Sequence, residues 1–162
     1  MKRVLIPTDF SIRSLNMVQH AVNKFPGEKI EIVLFHLLAM PTSITELMVL
    51  PRKKNEYYSI VSDEFYEATQ ILKNKYASSI DSFTITFQHG STRAWFNNFL
   101  EGRKIDAVVA PGELELAPVF KSSINMSKLI DKCKCLIITP RMKQAEIAEH
   151  VPSMAELLPV AQ

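Results

Sequence analysis

Residues Ile30 to Leu37 read IEIVLFHL, and the second half of the run is continuously apolar. A strand with one wet face alternates apolar and polar residues, whereas an uninterrupted run fits a sheet buried on both faces. Upstream, Arg3 to Thr8 (RVLIPT) is short, apolar and rich in β-branched residues. Downstream, Ser82 to Gln88 alternates, with Phe83, Ile85 and Phe87 on one side and Thr84, Thr86 and Gln88 on the other. That pattern predicts a half-exposed edge strand. Ile105 to Ala110 (IDAVVA) and Leu136 to Thr139 (LIIT) complete five strand-like runs.

Helix-like runs lie between them. Leu15, Val18, Val22 and Phe25 recur at three- and four-residue steps until Pro26-Gly27. Val61, Phe65, Ala68, Leu72 and Tyr76 form a longer stripe. Trp95, Phe96, Phe99 and Leu100 follow Ser91, the predicted N-cap, and Gly102 ends that helix. Ile124, Leu129, Ile130 and Cys133 predict a last helix capped by Ser122 or Ser123. Strands alternating with helices imply βαβ crossovers and a mostly parallel sheet. The short, wholly apolar first strand belongs at its centre, between the second and fourth.

Met40 to Asn55 is an insertion. Ser43-Ile44-Thr45-Glu46 has capping-box spacing, and the apolar run Leu47 to Leu50 stops at Pro51. A short extra helix is predicted there, followed by a solvated basic loop, Arg52-Lys53-Lys54. Residues 1–140 form one domain on this reading. Residues 141–162 are an extension, helical near Gln144 to His150 before it frays.

The 162 residues carry 19 basic and 17 acidic side chains, a net charge of +2. That balance argues against electrostatically driven nucleic-acid binding. No apolar run nears the roughly 20 residues that cross a bilayer, and the N-terminus lacks a signal-peptide core, so a cytoplasmic protein is expected. Cys133 and Cys135 make no disulfide framework and no metal site; two half-buried thiols leading into a strand are expected.

In an open parallel sheet, ligands bind beyond the carboxyl ends of the strands. The first strand is not followed by a dinucleotide-binding glycine turn, and the chain has no P-loop and no G-x-S-x-G elbow. No catalytic residue is assigned. Asp9 stands where a carboxylate accepts from a ribose hydroxyl or a base amine; alternatively Asp9 or Ser11 caps the first helix. Gly112 would let the backbone approach a phosphate or make an ordinary turn. Ser122-Ser123 would bind an anion at a helix N-terminus or simply cap it. His36, between Phe35 and Leu37, reads as a satisfied core histidine, and Trp95, Phe96 and Phe99 read as core.

Four segments resemble the universal stress proteins: the opening RVLIPTDFSIRSLNMVQHAV with its Pro-x-Asp turn, the second strand IVLFHLL, Gly90 followed by a helix and IDAVVAPG, and KLIDKCKCLIITP. They cover residues 2 to 140. The resemblance implies an open five-stranded parallel sheet in the order 3-2-1-4-5 with helices on both faces, the adenine nucleotide alpha hydrolase-like fold. It implies a non-catalytic stress-response module or, alternatively, a protein that binds and slowly hydrolyses ATP. Pro7, Asp9 and the backbone near Val33 would meet adenine and ribose. Gly112, Ser122 and Ser123 fall on the family's phosphate loop, where ATP binders carry Gly-x2-Gly-x9-Gly-(Ser/Thr). Here Glu115 replaces the second glycine, Ser122 the third, and the interval from Gly112 to Ser122 is ten positions instead of thirteen. Glu113 and Glu115 would oppose a triphosphate, and Lys121 would offset part of that charge. The nucleotide site is degenerate on this reading, with no cofactor assigned: AMP or another adenosine compound could still fit it, and ATP is less suited. A homodimer paired through Leu136, Ile137 and Ile138 is expected, since an exposed sheet edge needs cover.

Overall fold

The computed structural model describes residues 1–112, 116–120 and 122–139, without the side chains of residues 50–55. Its elements are β1 (Lys2–Pro7), a 3-10 turn (Ile12–Asn16), α1 (Met17–Lys24), β2 (Ile30–Leu38), α2 (Ile44–Ser59), α3 (Asp63–Lys75), β3 (Ile80–His89), α4 (Arg93–Gly102), β4 (Ala107–Val109), α5 (Ser127–Asp131) and β5 (Leu136–Ile138). The sheet order is β3-β2-β1-β4-β5, all parallel. This is the expected α/β architecture, with β1 at the centre.

Both faces of the middle strands are buried, which explains their unbroken apolar runs. Val4, Ile6, Ile30, Ile32 and Leu34 face one core with Val18 and Ala21 of α1 and Phe65, Ala68 and Leu72 of α3. Leu5, Val33, Phe35, Leu37 and Val108 face the other with Phe96 and Leu100 of α4 and Leu129 and Ile130 of α5. Phe83, Ile85 and Phe87 of the edge strand β3 join the first core, as their alternation predicts.

Three local expectations need correction. α2 does not stop at Pro51 but runs to Ser59, so residues 52–54 lie on helical backbone rather than in a loop. A proline inside a helix forgoes a hydrogen bond; here the helix end is fixed instead by Tyr57, 9% exposed, against Phe87 and Phe120. Thr92, not Ser91, caps α4 by accepting from Trp95 N at 3.1 Å. α5 begins only at Ser127 and has no side-chain cap, so Ser122 and Ser123 do not head a helix. Ser11 caps the start of the first helix, one of the two expected readings: that start is a 3-10 turn, and Ser11 Oγ accepts from Ser14 N at 3.2 Å.

Cys133 and Cys135 are free and half-buried, and the Cys135 thiol donates to Ile105 O at 3.3 Å. The predicted tail helix, Pro140-Arg141, Glu113, Glu115 and Lys121 lie outside the described residues. No helix among the described residues is long and apolar enough to cross a membrane.

Candidate functional site

β1 and β4 are neighbours, but the chain leaves β1 toward β2 and reaches β4 only after β3. Strand order reverses there, and a crevice opens above the carboxyl ends of the two strands. A cavity of about 510 Å³ fills it, floored by Pro7 and Thr8, by Phe35, His36 and Leu37, and by Pro111 and Gly112. Leu116 to Pro118 and Ser123 to Ser127 form its remaining walls. None of these described lining residues carries a fixed charge, and His36 is the one titratable side chain among them.

Of the expected site residues, Pro7, Gly112 and Ser123 line this cavity, and Asp9, Val33 and Ser122 do not. Gly112 adopts φ 65°, the left-handed region in which glycine has no Cβ penalty. Asp9 is engaged by the chain on both oxygens. Its Oδ1 accepts from Ser11 N at 3.0 Å and from Ser11 Oγ at 2.5 Å, and its Oδ2 accepts from Ala117 N at 3.0 Å. The carboxylate therefore ties the β1 turn to the segment that follows β4. Val33 is 8% exposed and packs in the second core.

Ser122 and Ser123 belong to a segment laid antiparallel along the end of β2, bridging Leu38 to Ser123. Ala39 N donates to Ser122 O at 2.8 Å, and Ile124 N donates to Leu37 O at 2.9 Å. Beneath it, His36 is 6% exposed and bonded at both nitrogens. Nδ1 lies 2.8 Å from Thr8 O, a pure acceptor, so Nδ1 carries the proton. Nε2 then accepts from the Ser123 hydroxyl at 2.7 Å. Burial holds the His36 pKa below the usual 6.5, against the opposing pull of the Thr8 carbonyl and the Asp9 charge. The imidazole is thus neutral at pH 7. The sequence reading of His36 as a satisfied core histidine describes its burial, but the Ser123 contact spans 87 positions and carries no local signal.

The turn that sets this floor is unusual. Phe10 has φ 62°, which costs a non-glycine residue about 1–2 kcal/mol. Its N–H donates to Thr8 Oγ1 at 3.0 Å, and its ring packs on Phe65, Phe87 and His36 at 5.7, 5.0 and 5.5 Å between centroids. Phe120 closes the same cluster against His36 and Tyr57. These aromatic contacts hold the strained turn.

No protein-family model matches the chain, and no curated protein matches it. Solved structures do. The universal stress protein UspA from Lactobacillus plantarum superposes with a TM-score of 0.54 at 15% identity, covering 86% of this chain and 97% of that one. The hypothetical protein PH0823 gives 0.51 at 19% identity over 86% and 95%. The hypothetical protein MJ0577 gives 0.51 at 16% identity over 88% and 97%. At these identities the likeness is one of architecture, and in architecture this chain has the universal stress protein fold from β1 to β5.

Proposed function

We propose that this chain is a universal-stress-protein-like binding module whose crevice accepts an adenosine compound without a triphosphate. The observation that carries the reading is the cavity of about 510 Å³ at the β1–β4 switch point, walled by uncharged side chains and by Gly112. Its size and mixed polarity suit a small ligand that is largely buried. Anions are held by helix N-termini, by cationic side chains or by turns whose successive backbone N–H groups converge. The described walls offer no Lys or Arg, and the segment at Ser122 and Ser123 is bonded along β2 instead of opening a helix. Pro7, Gly112 and Ser123 would touch the ligand. Asp9 would act through Ala117 by holding the wall in place, with Val33 and Ser122 as framework. In the sequence, Glu113 and Glu115 fall within the stretch that resembles the family's phosphate loop, and their negative charge would oppose a triphosphate bound there.

Isothermal titration calorimetry with adenosine, AMP and ATP tests this. Adenosine and AMP should bind at least as tightly as ATP. Micromolar ATP affinity with a clear preference over AMP would overturn the reading in favour of an ATP-binding, slowly hydrolysing protein.

A further inference from the structure

The Ser123–His36 pair has the connectivity of an activated nucleophile. We propose that Ser123 is a reactive serine with His36 as its general base, and that the cavity presents an uncharged carboxylic ester to it. This goes beyond nucleotide binding and does not depend on it.

Three observations carry the proposal. First, the imidazole is held in the tautomer a general base needs. Nδ1–H donates to Thr8 O at 2.8 Å, which leaves Nε2 as an acceptor 2.7 Å from Ser123 Oγ. A base oriented by a third group, within hydrogen-bond reach of a hydroxyl, is the arrangement that activates serine. Second, Ser123 Oγ keeps a lone pair. A hydroxyl oxygen has two; one accepts from Phe120 N at 2.9 Å while the hydroxyl proton points to His36. The remaining pair is available for attack. Third, Ser123 and His36 both line the cavity, so the pair opens onto space for a substrate rather than into packed core. Burial keeps His36 neutral, the form that takes a proton.

The walls choose the substrate class. Phe35, Leu37, Leu116 and Met126 are apolar, and no described lining residue is a fixed charge. Asn125, whose Oδ1 accepts from Ser127 N at 2.9 Å, retains its NH2 as a donor in the wall. Ser123 Oγ bonds to the ester carbonyl carbon as its proton passes to His36 Nε2. The carbon–alkoxy bond then breaks, and the alcohol leaves with that proton. Water attacks the acyl-serine while giving a proton to His36, and the acid departs as the proton returns to Ser123.

An uncharged alkyl fluorophosphonate tests the nucleophile on the full chain. Its phosphorus bonds to Oγ, fluoride leaves, and intact-protein and peptide mass spectrometry locate the adduct. The expected result is one adduct per chain, on Ser123, absent from Ser123→Ala. In His36→Gln, shown to be folded by circular dichroism, labelling should slow by about 100-fold or more, the low end of a general base's contribution. No adduct on the wild-type chain, an adduct elsewhere, or unchanged Ser123 labelling in folded His36→Gln would each overturn the proposal. If His36→Gln does not fold, the site of the wild-type adduct decides. Adenosine titration of the wild-type chain separates this from the binding proposal, because a chain that binds adenosine and takes no label on Ser123 overturns only the nucleophile, while one that takes the label and binds no adenosine overturns only the binding reading.

Discussion

At the scale of single residues, Gly90 shows how one backbone position fixes a neighbour. The end of β3 passes so close to α4 that a Cβ built on Gly90 would lie 2.7 Å from Trp95 Cε2, inside van der Waals contact. The Trp95 ring cannot step aside alone, because it stacks on Phe99 at 5.4 Å and 19°. Gly90→Ala should therefore destabilise the fold by about 1–3 kcal/mol, the usual cost of overpacking. Trp95 is the chain's one tryptophan, so urea unfolding followed by its fluorescence measures the cost directly. An unchanged emission maximum and unfolding midpoint would contradict the contact. His36 makes a different prediction. Its native pKa lies below the unfolded value near 6.5, and burial lowers His20 in the same direction. Below about pH 6.5 the unfolded chain binds protons that the native chain refuses, so stability must fall with acidification through that window. His36→Gln should flatten the slope between pH 7 and 5. A slope equal to the wild type's would place the effect elsewhere.

Among the elements, the segment Leu116 to Ile124 decides what the crevice is. Its ties are Asp9 to Ala117, Ser123 to His36, and the backbone bonds to Leu37 and Ala39. Each joins residues far apart in sequence, so none left a local pattern. The sequence pattern at Ser122-Ser123 matches a helix cap, yet pairing with β2 prevails and delays α5 to Ser127. The strands were legible for the opposite reason. Burial on both faces, or on one, writes itself as continuous or alternating apolar residues, and Ile30 to Leu37 and Ser82 to Gln88 show each case. α2 lay between. Its start was readable from Ser43, which accepts from Glu46 N at 3.1 Å, but its passage through Pro51 was not, because Tyr57 anchors the far end from outside the local pattern. Asp9→Ala removes the three bonds accepted by the carboxylate and should raise amide hydrogen exchange at Leu116 and Ala117 well above that of β1. Unchanged protection there would show that the wall stands without Asp9.

For the whole molecule, the open question is the sheet edge. Among the described residues β5 pairs only with β4, and Leu136 is 46% exposed while Ile138 is buried at 7%. An edge strand with an exposed apolar residue is a template for another strand, and proteins cover or charge such edges. Leu136 to Ile138 itself carries no charge, and no described residue pairs with its outer edge. Pairing with a second copy would satisfy backbone groups that no described residue pairs and cover Leu136 in one contact. We therefore expect a homodimer through this edge. Ile137→Lys places a charge on that strand where pairing would bury it, and burying an unpaired charge is costly enough to oppose association. Multi-angle light scattering at micromolar concentration should give twice the chain mass of 18.4 kDa for the native protein and a shift toward the single-chain mass for Ile137→Lys. A native protein that runs as a monomer would remove the dimer altogether. A native dimer left unchanged by the substitution would move its interface to another face.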